Sequence, residues 1–390
     1  MKSLSRLTVY TALSLSMAAT AAFGQHYTQT NLVSNVSGVA PITDPQLVNP
    51  WGLSRGSSGD WWVSDNLTGF STLYNGAGTK NSLIVTIPPA DPNNKKTPIG
   101  SPTGTIFNAS PTDFLLPGRL AAEFLFCTID GSLVAWNANV AIAPGAVAPS
   151  THAITVAKNT DGTSYTGLTS AFIDNRRFLY AANFGKGRVD VYDNAFHRVE
   201  LRGGRNAFRD ELLPRNFVPF NVQAIGNDIV VTYVLHEEGK QVETDGPGLG
   251  RVDIYTSEGV LLQRLESGDF MNAPWGVALA PLDFGRFSHD LLVAQFAGGG
   301  TTENSGVIAA FDLVTGRFDG LLQDAKGKTL VVPGIWAISP GNVAPANSDP
   351  AASPAAQLYF TAVPINGGAP GGLFGYLTAI SSELVEGGGQ

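Results

Sequence analysis

Side chains with oxygen donors recur at similar places in this sequence. Asp65-Asn66, Asp130 and Asn183 each follow a short apolar run, as do His236 and Gln295. Carboxylate and amide oxygens gathered around one point are what a hard cation takes, six to eight of them for calcium. Asp65, Asn66, Asp130 and Asn183 are therefore the candidate metal set, with calcium the expected ion if they converge. The same residue types are also ordinary turn formers, because their side chains bond the backbone two residues on. Trp51, Phe220 and Trp275 offer flat faces for stacking on a ligand, or large apolar surfaces for packing.

Other chemistry finds less support. The five histidines, His26, His152, His197, His236 and His289, show neither the i, i+4 spacing of a zincin helix nor a nearby cysteine pair. Gly69-Phe70-Ser71-Thr72-Leu73 lacks the second glycine of a nucleophile elbow. Cys127, the single cysteine, sits in an apolar run and reads as inert packing. If a general base acts here, His236, Asp65 and Asp130 are the candidates.

Residues so far apart share a site only if a repeat brings them to one axis. The chain has 390 residues, 45 of them glycine and 24 proline, and only 14% are charged, which describes a folded, turn-rich protein. Its net charge of -8 speaks against a nucleic-acid surface. A short opening recurs as Pro50-Trp51-Gly52-Leu53, Pro102-Thr103-Gly104-Thr105, Tyr165-Thr166-Gly167-Leu168, Pro219-Phe220-Asn221-Val222 and Pro274-Trp275-Gly276-Val277, and more loosely as Pro333-Gly334-Ile335-Trp336. Apolar runs follow at 61–64, 124–127, 178–181, 229–232, 291–294 and 358–361. Next come alternating strands, as at 187–193 and 250–256, and in most copies a fourth strand, as at 82–87 and 260–265.

Six units of four strands predict an all-β fold, a six-bladed β-propeller with four-stranded blades, formed by residues 25–390 as a single domain. The units exceed the roughly 40–45 residues of WD repeats and lack their signature. A pair of β-sandwiches is the rival architecture. The sixth unit lacks a fourth strand, whereas a spare strand lies at 27–33, so the amino-terminal strand is expected to close the ring and remove two sheet edges. Asp210-Glu211-Leu212-Leu213 reads as a short helix within a long insertion.

Residues 1–24, with Lys2 and Arg6 before an uncharged apolar stretch and small residues at its end, read as a secretory signal peptide. The mature chain is then exported, to the periplasm or the extracellular space. No later segment is long and apolar enough to span a bilayer.

Asn49-Pro50-Trp51-Gly52-Leu53, Trp62-Val63-Ser64-Asp65-Asn66 and Ser71-Thr72-Leu73-Tyr74-Asn75-Gly76 resemble an uncharacterised, exported bacterial family of NHL-like β-propellers, some of whose members carry a PEP-CTERM sorting tail. Pro219-Phe220-Asn221-Val222-Gln223, Val252-Asp253-Ile254-Tyr255, Asp290-Leu291-Leu292-Val293 and Leu358-Tyr359-Phe360-Thr361 extend the likeness over most of 27–380. The resemblance implies the propeller fold and no particular activity. Residues 383–390 lack the sorting tail, and the glycine-rich loop at 298–304 departs from the family pattern.

In such a ring the blade openings and the ends of the second strands surround one channel mouth. That mouth should receive Trp51, Thr103, Thr166, Phe220 and Trp275, together with Asp65, Asn66, Asp130, Asn183, His236 and Gln295. The expected function is a ligand-binding or protein-interaction module whose partner is a small molecule, a glycan or an extracellular protein. The alternative is a metal-assisted, calcium-type hydrolase or lyase of the propeller lactonase kind.

Overall fold

A computed structural model describes residues 25–57, 59–95, 98–140, 147–296, 306–341 and 353–380. The leader expected at 1–24, the loop at 298–304 and the tail at 383–390 lie outside these residues. The repeats form six sheets around an axis, as expected of a six-bladed propeller. Blades one to five are four-stranded and antiparallel, with inner strands Pro50–Ser54, Pro102–Phe107, Tyr165–Ile173, Phe217–Ile225 and Pro274–Leu279.

The sixth blade joins the two ends of the chain. Its inner strand is Ile335–Pro340, followed by Gln357–Ala362 and Leu373–Ala379, and its outer strand is the amino-terminal His26–Ser34. That strand pairs antiparallel with Leu373–Ala379, from Tyr27 opposite Ala379 to Ser34 opposite Leu373. The spare strand at one end and the deficit at the other are thus one closure. Tyr27 locks it by donating its hydroxyl to Phe284 O at 2.8 Å, which ties the seam to blade five.

The core lies between blades. Alternate side chains of a strand face opposite ways, so Trp61 packs with Tyr359 and Phe374 of blade six, while Trp62 packs with Phe124 and Phe126 of blade two. Comparable clusters fill the remaining interfaces between neighbouring blades.

Each inner strand shifts register against its neighbour at the same place. A bulge leaves a residue unpaired and re-aims its side chain. Trp51, Thr103, Thr166, Phe220, Trp275 and Trp336 occupy this place, and the shift turns the aromatic ones toward the channel axis. In five of the six the next residue is glycine or alanine, because the next blade's backbone arrives there; after Phe220 it is Asn221, which packs against Gly167 and donates to Trp275 O at 2.7 Å. A Cβ at Gly276 would stand 2.2 Å from Trp336 O, and one at Gly104 2.5 Å from Leu168 N.

Two sequence expectations need correction. The sixth opening is not Pro333-Gly334-Ile335-Trp336 in register with the others. Ile335 pairs with Ala362 as Pro274 pairs with Gln295, so Trp336 is the counterpart of Trp275. Residues 210–213 form no helix but a turn, in which Asp210 is committed to Arg264 through bonds of 2.7 and 2.6 Å. Among the described residues no helix is long and apolar enough to cross a membrane.

Candidate functional site

At the end of the channel where the inner strands begin, the bulged aromatic residues meet. Trp51 and Trp336 stack with ring centroids 3.7 Å apart, and Trp336 stacks on Phe296 at 4.0 Å. Trp275 stands edge-on to Trp51 and Trp336 at 6.0 and 5.5 Å, and Phe220 lies 5.7 Å from Trp336. Trp51, Phe220, Trp275 and Trp336 are buried. The indole nitrogens of Trp51 and Trp275 donate to Asn49 Oδ1 at 3.1 Å and Thr166 O at 2.9 Å. Trp51, Phe220 and Trp275 do converge, as the strand order requires, but their faces are used on one another and form a plug.

The polar candidates stand at the ends of the second strands or just beyond them, where they were expected, and each is engaged locally. Asp65 Oδ2 accepts from Thr72 N at 3.1 Å and from Thr72 Oγ1 at 2.8 Å. Asn66 donates to Pro102 O at 3.1 Å and accepts from Asn49 at 3.0 Å. Asp130 accepts from Ala90 N at 2.7 Å and from the Thr128 hydroxyl. Asn183 accepts from Lys186 N at 3.1 Å and donates to Asp190 Oδ2 at 2.7 Å. Gln295 Oε1 accepts from Asn272 N at 2.5 Å, and His236 pairs with Lys240 O at 2.8 Å with its ring against Phe184.

Asp65, Asn66, Asp130 and Asn183 share no hydrogen-bond partner. Among the described residues no three or more His, Cys, Asp or Glu side chains form a group fit for a metal ion. Asp65 is moreover a poor ligand for a hard cation as it stands. Burial pushes its carboxyl well above the usual carboxylate range, Asp44 adds to the rise, and the Thr72 bonds only oppose it. Burial likewise pushes the Cys127 thiol up to about 12, in keeping with inert packing.

The opposite end of the channel is different. Where the inner strands of blades one, two, four, five and six finish, a cavity of about 260 Å³ is lined by Ser54, Arg55, Thr105, Gln223 and Ser339 among apolar neighbours such as Ile106 and Ile338. Thr105 also borders a narrow continuation toward the plug, beside Trp275 and Gly104. Among the described residues, two buried polar atoms at this end have no hydrogen-bond partner, Arg55 Nε and Thr105 Oγ1. Ser54 is engaged, accepting from Phe107 N at 2.9 Å. None of these lining residues was a sequence candidate. The available signal was Arg55 itself, a basic residue at the far end of an inner strand in a Ser-Arg-Gly-Ser run.

No protein-family model matches the chain. It is 25% identical over 312 residues to uncharacterized protein R648 of Acanthamoeba polyphaga mimivirus, covering 79% of this chain and 72% of that protein. Uncharacterized protein L690 of the same virus is 26% identical over 314 residues, covering 79% and 77%. Uncharacterized protein R640, also from that virus, is 27% identical over 226 residues, and the match spans only 39% of its length. Among solved structures, a streptogramin B lyase superposes with a TM-score of 0.47 at 11% identity, covering 91% of this chain and 98% of that one.

Proposed function

We propose that the protein is an exported ligand-binding propeller whose site is the Arg55 end of the central channel. The observation that carries this is the cavity of about 260 Å³ at that end, where Arg55 is the one charged side chain among the described lining residues, with Ser54, Thr105, Gln223 and Ser339 beside it. Small-molecule sites combine concave apolar walls with a few placed polar groups, typically in volumes of roughly 300–1,000 Å³. This one suits a ligand of metabolite size. Export, and a place among exported bacterial propellers, rest on residues 1–24 and on the blade motifs.

Binding is favoured over catalysis because the described residues lining the cavity include no carboxylate, histidine or cysteine to act as base or nucleophile. A metal-assisted reaction would need Asp65, Asn66, Asp130 and Asn183 to leave their present partners. The test is ligand-observed NMR with a mixed set of small organic fragments, comparing wild type with Ser339→Trp, a channel-filling variant checked for folding by circular dichroism. Fragments that bind the wild type should lose their signal in the variant. Unchanged binding in Ser339→Trp places the site elsewhere and defeats the proposal.

A further inference from the structure

We propose that the channel site takes a small monocarboxylate with an apolar body, its carboxylate held by Arg55; this rests on the channel-binding reading above. Arg55 is the only ionisable residue among those described as lining the cavity. Its guanidinium lies 4.5 Å above the Trp61 ring, and its Nη2 donates to Pro340 O at 3.4 Å. Trp61 is itself fixed, donating Nε1 to Ser353 Oγ at 2.8 Å and packing on Tyr359 at 4.8 Å. Among the described residues the guanidinium is thus held in place by a ring and not by a carboxylate, which leaves most of its five N–H donors unspent.

Burial pushes the Arg55 pKa down to about 10, with Tyr359 opposing the fall, so the group is still cationic at neutral pH. A carboxylate can meet such a guanidinium with two parallel hydrogen bonds, a geometry that a lysine could not match. One unpaired positive charge fits one negative charge. A phosphate dianion would leave a charge uncompensated against Leu53, Ile106, Val277 and Ile338. Those walls suit an aliphatic or aromatic body instead.

Isothermal titration of the full chain with benzoate and hexanoate, each paired with its neutral primary amide, tests this. The acids should bind at least about tenfold tighter than the amides, as charge-assisted bonds to a fixed guanidinium require. Arg55→Gln should bring the acids down to the amide level, and Arg55→Lys should restore part of the difference. Acid binding should also weaken as pH falls through the ligand's own carboxyl pKa, because Arg55 keeps its charge there. Equal affinity for acid and amide, an acid preference that survives Arg55→Gln, or no acid binding at millimolar concentration overturns the proposal. Inorganic phosphate binding as tightly as benzoate does so too. If neutral fragments bind and are lost in Ser339→Trp while acids gain nothing, this inference fails and the channel reading stands. If fragment binding is indifferent to Ser339→Trp, both fall.

Discussion

Deletion of residues 25–36 should destabilise the propeller by on the order of 5 kcal/mol, which is most of the net stability of a typical domain. The deleted segment contains the outer strand of blade six, and Tyr27, Leu32 and Val33 within it are buried. Each fully buried side chain of this kind contributes roughly 1.5–3 kcal/mol. Removal also bares the edge of Leu373–Ala379, a template for pairing with other chains. Urea denaturation should show a lowered midpoint or no cooperative transition, with aggregation on refolding. Tyr27→Phe, which removes the bond to Phe284 O, should cost about 1 kcal/mol. An unchanged midpoint after deletion would mean that the ring does not depend on its seam.

Trp336→Ala should cost about 3–5 kcal/mol, the usual range for emptying a buried aromatic site. Trp336 is the centre of the plug, stacked on Trp51 on one side and Phe296 on the other and met edge-on by Trp275. Its neighbours come from blades one, four and five, so one collapsing side chain cannot refill the space. Urea titration gives the loss directly. A cost below about 1 kcal/mol, the level of a tolerated volume-conserving swap, would show that the aromatic residues are not a packed unit.

The architecture was legible because β-structure writes itself with a period of two and because the unit recurs. Closure was legible for a simpler reason: a strand was spare at one end and missing at the other. The sixth opening was misaligned because Pro333-Gly334 imitates the proline and glycine of the other copies. Gly334 in fact takes a left-handed φ of 68° where a Cβ would meet Val363 O at 2.4 Å, and the inner strand begins only afterwards at Ile335. Aligning on tryptophan instead of proline would have found Trp336.

The site was less legible than the fold. Asp65, Asn66, Asp130 and Asn183 have the composition of a cation site, but the same oxygens serve Thr72, Asn49, Ala90 and Lys186 within the loops. Residue type does not separate the two uses; only three-dimensional partners do. Trp51, Phe220 and Trp275 pack together, and stacking on a ligand and stacking on one another demand the same residues. Arg55 carries no repeat signal, because it stands where an inner strand finishes and the recurring motifs mark where inner strands begin.

The account depends most on which end of the channel is accessible, and thiol labelling measures that directly. Cys127, the single native cysteine and fully buried, serves as the internal reference. Ser339→Cys places a thiol at the Arg55 end, and Thr166→Cys places one at the aromatic end. With a small maleimide, Ser339→Cys should react at close to the rate of a free thiol, whereas Thr166→Cys should react no faster than Cys127, on unfolding only. Rapid labelling of Thr166→Cys with a protected Ser339→Cys would contradict the account, because the channel would then open at the aromatic end.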